Sequence, residues 1–283
     1  MNLSVFTVLM PENTLDEICA ITANAGCKGL ELRVKDLTEA EKKGPYGFWA
    51  NHKADIGVKN LRGQTGDIRK TADKYKLEIP AVASYCFSYE HEDIEEVVKC
   101  LPMLGCKMFR IRPPLYDRAK DDYNKLYEQT VKDFERIEKL CKANKVKACI
   151  ETHMNTIVPS ASLTMRVAEK FDPGYIGVIV DPGNMVFEGF ENYMMGLQLI
   201  GKHLSHVHVK NMKWVVKETR ADGSIAWKCD SCSAKEGVAD LRQLTEDLKK
   251  TGYTGWYTFE DFSSGDPKAK IDDWVSYMKT LNV

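Results

Sequence analysis

Short apolar runs alternate with longer amphipathic stretches along the whole chain. Leu3 to Leu9 reads as a strand. Thr14-Leu15-Asp16-Glu17 then fits a capping box, in which hydroxyl and carboxylate satisfy each other's backbone N–H groups. Leu15, Ile18, Ala20 and Ile21 keep helical spacing behind it, and Gly26 closes the helix before the strand Gly29 to Val34. A long loop runs from Lys35 to about Arg62. The later strands are predicted at Ile79–Cys86, Lys107–Arg112, Val146–Glu151, Ile176–Val180, Leu204–Val209 and Trp256–Phe259. Helices are predicted at about Gln64–Tyr75, His91–Leu104, Asp121–Ala143, Ser160–Lys170, Glu191–Lys202, Val238–Lys250 and Lys268–Leu281. A second long polar loop covers Asn211 to Gly237.

The strand runs are nearly continuous in apolar residues, as strands buried on both faces require. Eight strand–helix units without a Gly-rich dinucleotide fingerprint point to an α/β protein, a single closed (β/α)8 TIM barrel over residues 1–283. A length of 283 residues suits one such barrel, and no linker or low-complexity tract marks a second domain.

Composition narrows the function classes. Forty Lys plus Arg against 41 Asp plus Glu leave a formal net charge of −1, which argues against a protein that grips nucleic acid through bulk positive charge. No apolar run approaches the ~20 residues of a membrane span, and Met1 to Met10 carries no leader pattern. The nine cysteines are an odd number scattered through strand-like and helix-like segments, as in reduced thiols, so a cytoplasmic location is expected. Cys229-Asp-Ser-Cys232 lacks a second pair and is not expected to bind zinc or to cycle redox.

The chemistry lies at the strand ends, where a (β/α)8 barrel places its active site. Those ends read Glu31, Tyr85, Arg112, Glu151 with His153, Asp181, His206 with His208, and Glu260 with Asp261. Glu151, Asp181, His208 and Glu260 form a plausible metal set on four successive strands. Three carboxylates and one imidazole suit Mn²⁺, Mg²⁺, Co²⁺ or Zn²⁺, and neighbouring strands ~4.8 Å apart let them converge. His206 shares the face of His208 and is read as a hydrogen-bonded support, with substrate contact as the alternative. His153 is expected to touch substrate or act as acid or base. Lys210 suits a hydroxyl, phosphate or carboxylate oxygen, and Arg112 an anion or carbonyl. Glu31 is expected to point into the pocket, with an ion pair between layers as the alternative. In the loop Gly44 to His52, Tyr46, Phe48 or Trp49 is expected to stack on a sugar or aromatic ring, with a packed aromatic cluster as the alternative.

The segments Ala148–His153, Gly177–Asn184, His206–Asn211, Lys235–Asp240 and Gly252–Glu260 resemble the strand ends and loops of the xylose isomerase-like TIM barrels. These are sugar phosphate isomerases and epimerases, related to ketose 3-epimerases, inosose dehydratase and endonuclease IV. The resemblance implies a divalent metal, Mn²⁺ first, on Glu151, Asp181, His208 and Glu260. It implies that Glu151 and Glu260 shuttle a proton while the metal steadies an enediolate on a small carbohydrate. Two departures matter. The histidine that epimerases carry three residues after the aspartate ligand is Asn184 here, which keeps a lyase reading beside the isomerase one. The extra histidines of endonuclease IV have no counterpart, which argues against DNA repair. Related barrels commonly form homo-oligomers, but no interface pattern is visible in the sequence.

Overall fold

A computed structural model describes residues 1–281. Eight parallel strands close into a barrel: β1 (Asn2–Phe6), β2 (Gly29–Val34), β3 (Val82–Ser84), β4 (Met108–Ile111), β5 (Lys147–Glu151), β6 (Ile176–Val180), β7 (Leu204–Val209) and β10 (Trp256–Phe259). Neighbours in sequence are neighbours in the sheet, and β10 closes the ring against β1 with Asn2 opposite Trp256. Between β7 and β10 the chain leaves the barrel as an antiparallel hairpin, β8 (Asn211–Thr219) with β9 (Ile225–Cys232). The barrel architecture is the one expected, and the Thr14 capping box is formed in full.

Helices α1 (Leu15–Asn24), α3 (Val58–Lys74), α4 (His91–Cys100), α5 (Tyr123–Asn144), α6 (Ala161–Ala168), α8 (Tyr193–Ile200), α9 (Leu241–Lys250) and α10 (Pro267–Leu281) pack around the strands. Each buries an apolar stripe, such as Ile94, Val97 and Val98 of α4. On α10, the fully buried Trp274 stacks on Phe259 with ring centroids 4.8 Å apart. That contact pins the last helix to the closing strand.

The structure departs from the predicted pattern in five places. Strand β1 ends at Phe6, and Thr7–Leu9 forms a 3₁₀ turn. Strand β3 is only three residues long, because Pro80 has no N–H to give the ladder. The loop from 35 to 62 contains a short helix, α2 (Glu39–Lys43), and the first turns of α3. The loop from 211 to 237 is largely the hairpin. Its turn holds Gly223 at φ 82°, a conformation glycine adopts freely, and Asn211 pairs with Cys232 at its base. A further helix, α7 (Pro182–Glu188), starts directly on Asp181, with proline at its first position.

All nine cysteines are free thiols, and Cys229 and Cys232 sit in the β9 ladder opposite Trp214 and Asn211. No described helix is long and apolar enough to cross a membrane. Replacing Trp274 by alanine removes the largest fully buried side chain from the α10–β10 contact. It should cost about 3–5 kcal/mol of stability, read as a lower urea midpoint at unchanged slope.

Candidate functional site

Inward-facing polar side chains climb the barrel axis in layers. At the floor, Ser4 Oγ and Thr258 Oγ1 are 2.5 Å apart. Above them His206 Nε2 lies 2.8 Å from Thr258 Oγ1 and 3.0 Å from Glu31 Oε2. Both Glu31 oxygens are 3.2 Å from His208 Nε2. The carboxylate therefore holds the far nitrogen of His208 and turns Nδ1 toward the strand ends. There Nδ1 lies 2.9 Å from Glu151 Oε1 and 3.1 Å from Glu260 Oε1.

Strand β5 supplies Glu151 at its last residue, and β6 delivers Asp181 one residue past its end. Asp181 also caps α7: Asn184 N donates to its Oδ1 at 2.9 Å. The side-chain amide of Asn184 donates to Asp181 Oδ2 (2.9 Å), Thr152 O (3.1 Å) and Glu151 Oε1 (3.3 Å). Asn184 thus holds two carboxylates in place from one short helix. Arg110 Nη1 donates to Glu151 Oε2 at 2.9 Å, and Lys210 Nζ bridges Asp181 (2.6 Å) and Glu260 (3.2 Å).

Burial and neighbouring charge pull each of these groups in opposite directions. Burial raises Asp181 to about 7 against the attraction of Lys210, helped by Glu260 and Glu151. Burial would also raise Glu151, but Arg110 and His208 hold it well below the usual carboxylate range. Burial would lower His208, yet Glu31, Glu260 and Glu151 lift it well above an ordinary imidazole. Lys210 is likewise held protonated by Asp181 and Glu260 against the cost of burial.

Glu151, Asp181, His208 and Glu260 are all buried, and one donor atom from each lies within 4.8 Å of the others. Glu260 Oε1 is buried and makes no aligned hydrogen bond. An orphaned acceptor beside two further carboxylates and an imidazole nitrogen is what a divalent cation satisfies, so the residues fit such an ion. A second cluster of Glu31, His206 and His208 shares His208. Its hydrogen bonds make it the support that orients the imidazole, the usual partnership of a metal-ligating histidine.

Above the cluster opens a cavity of about 390 Å³, lined by Trp49, Tyr85, Arg110, Arg112, His153 and Phe262 as well as Glu151, Lys210 and Glu260. Phe6 forms part of its wall and stacks against His208 at 6.1 Å. Trp49 packs on Phe262 at 4.6 Å, whereas Tyr46 is exposed and bridges to Asn51 outside the cavity. His153 Nδ1 lies 2.7 Å from Met154 O, so that nitrogen carries the proton. Burial lowers its pKa, which keeps the ring neutral.

The expected metal set is therefore brought together, and Arg112, His153, Lys210 and Trp49 line the cavity. Glu31, expected to point into the pocket, lies one layer lower instead, and His206 beside it takes the supporting place and not the alternative of substrate contact. Both are fully buried beneath His208 and face it rather than the cavity. The reason is barrel geometry: residues two apart on a strand share a face but occupy successive levels. Arg110 and Phe262 were missed. Arg110 precedes Arg112 by two and shares its face, a signal hidden inside the apolar run Lys107–Arg112. Phe262 sits in a loop, where spacing carries no facing information.

The family model described as xylose isomerase-like TIM barrel matches residues 19–281, and the chain belongs to that family. An inosose dehydratase of Geobacillus thermodenitrificans is 24% identical over 159 residues, which are 53% of this chain. The match spans 52% of that enzyme, about half the length of the curated relative. The crystal structure of the E. coli 3-keto-D-glucoside 4-epimerase YcjR superposes with a TM-score of 0.70 at 14% identity, covering 99% of both chains. That of the IolI protein with a bound zinc atom gives 0.74 at 14%, covering 100% of this chain and 97% of that one. These structural likenesses establish the fold.

Replacing Glu31 by glutamine removes the charge behind His208 Nε2 while keeping the volume. Affinity for Zn²⁺ or Mn²⁺, measured by calorimetry, should fall about 10- to 100-fold, with the fold retained by circular dichroism.

Proposed function

We propose that this chain is a divalent-metal-dependent enzyme that removes a proton from the carbon beside a carbonyl group in a small carbohydrate or related polyol. The observation that carries the proposal is the convergence of Glu151, Asp181, His208 and Glu260 donor atoms within 4.8 Å at the floor of a 390 Å³ cavity. When bound, the ion supplies Lewis acidity that makes the proton beside the carbonyl easier to remove. Glu260 is assigned as the base, because its Oε1 makes no hydrogen bond, and Glu151 as the second proton carrier. Lys210, protonated, and His153, neutral, reach the same cavity and hold substrate oxygens. Trp49 and Phe262 offer a ring stack for the apolar face of a sugar. The zinc atom of the IolI protein supports a divalent ion in general and leaves Mn²⁺, Zn²⁺, Mg²⁺ and Co²⁺ open for this chain.

Two reactions can follow. In an isomerase or epimerase, the proton returns to carbon, and two carboxylates beside the reacting carbon serve that role. In a lyase, a hydroxyl on the next carbon takes a proton and leaves as water, and the electron pair left at the first carbon forms the double bond. The inosose dehydratase relative favours the lyase. So does the tie between Arg110 and Glu151, which weakens Glu151 as a base.

Elemental analysis of wild-type protein should find roughly one divalent ion per chain, lost in Asp181→Ala. The loaded protein is then incubated in D₂O with ketoses and keto-inositols. Deuterium in a sugar or its isomer identifies an isomerase or epimerase, and loss of water identifies the lyase. Absence of metal after incubation with Mn²⁺ and Zn²⁺ would sink both readings.

A further inference from the structure

The cations around the cavity are unevenly neutralised. Arg110 is paired with Glu151, and Lys210 with Asp181 and Glu260. Among the described residues, Arg112 has no carboxylate within ion-pair distance, and its guanidinium makes no hydrogen bond. Two aromatic rings hold it instead: its Cζ lies 4.4 Å from the Phe87 centroid and 5.6 Å from that of Tyr85. Phe87 is in turn stacked on Tyr89 at 5.3 Å. Glu90, which shares an adjoining groove with Arg112, commits its carboxylate to Phe87 N at 2.7 Å.

Behind the same tyrosine lies a second uncompensated guanidinium. Arg33 is buried, its Cζ 5.7 Å from the Tyr85 centroid. Nη2 donates to Ala50 O at 3.2 Å, while Nε and Nη1 have no partner. Of the two carboxylates nearby, Glu41 is taken by Lys35, and Asp55 makes no ion pair with Arg33. Tyr85 Oη is also buried without a partner. One ring therefore gathers three guanidinium groups, and among the described residues only that of Arg110 forms an ion pair with a carboxylate of the protein. Arg33 is the buried member, and half-buried Arg112 is the one that reaches the cavity; positive charge withdrawn from water and left unpaired is costly, and an anion from outside compensates it.

We propose that Arg112, backed by Tyr85 and Arg33, receives a carboxylate of the substrate, so that the substrate is a hydroxylated keto acid rather than a neutral sugar. This inference rests on the proposed function for its other end, where the cluster of Glu151, Asp181, His208 and Glu260 takes the carbonyl. The arginine chemistry fits. A guanidinium covered on its faces by aromatic rings keeps its N–H edge free and oriented, the geometry that carboxylates accept in bidentate fashion. A phosphate shares that chemistry. The carboxylate is favoured because one half-buried guanidinium without an ion-pair partner, at the wall of a 390 Å³ cavity, matches a monoanion.

The test is calorimetry on metal-loaded protein with three probes of one skeleton: D-fructuronate, D-fructose and D-fructose 6-phosphate. Wild type should bind the acid at least about tenfold tighter than the neutral sugar. The ratio should shrink to about twofold or less in Arg112→Gln. Arg112→Lys, which retains the charge but not the fork, should keep part of it, and guards against reading a folding defect as lost recognition. A wild type that binds all three alike, or none, overturns the proposal, as does a preference that survives in Arg112→Gln. Tighter binding of the 6-phosphate replaces the carboxylate with a phosphate. Metal content measured on the same samples separates the two readings: an Arg112-dependent preference in protein that takes up no metal would overturn the metal-dependent function and leave the anion site standing.

Discussion

Four carboxylates, Glu31, Glu151, Asp181 and Glu260, are buried within one barrel, each 3% exposed or less. Moving even one charged carboxylate out of water costs several kcal/mol after relaxation. No hydrophobic packing elsewhere makes that arrangement tolerable unless positive charge stands beside it. Arg110, Lys210 and His208 supply part of the balance, and the donor geometry leaves room for a divalent ion to supply the rest. The site is thus a charge problem before anything else. Asp181 shows this most clearly, since its ionisation depends on the company it keeps.

The supports run from the floor of the barrel to its mouth. Ser4 and Thr258 anchor His206, His206 and His208 share Glu31, and Glu31 fixes which nitrogen of His208 faces the strand ends. From the side, the α7 cap ties Asp181 and Glu151 to Asn184. Rigid strands and one short helix carry the charged residues, while loops contribute the aromatic cover of Trp49 and Phe262. Such a division suits a family in which chemistry is held on strands and substrate choice is left to loops.

Much of the barrel was legible because its signals are local. The β2, β6, β7 and β10 boundaries coincide with apolar runs closed by a polar or turn residue, and the Thr14 box is a four-residue pattern. The hairpin was not legible as strands. Its short apolar run Trp214 to Val216, flanked by Lys213 and Lys217, lies in a polar stretch whose ladder is made only with its own partner strand. Likewise α7 is a seven-residue helix that exists because Asp181 caps it.

Residue types at strand ends were enough to mark Glu151, Asp181, His208 and Glu260 as one set, since barrel topology sends every strand end to the same mouth. Depth within the barrel was decided only by the tertiary structure. Strand spacing says which face a side chain takes, but not at which level of the tilted, staggered barrel it lands. Glu31 and His206 therefore fell beneath the site, Arg110 rose into it, and Arg112 was left among aromatic rings without a partner. Pairing between distant charges is a property of three-dimensional distance, and no spacing along the chain encodes it.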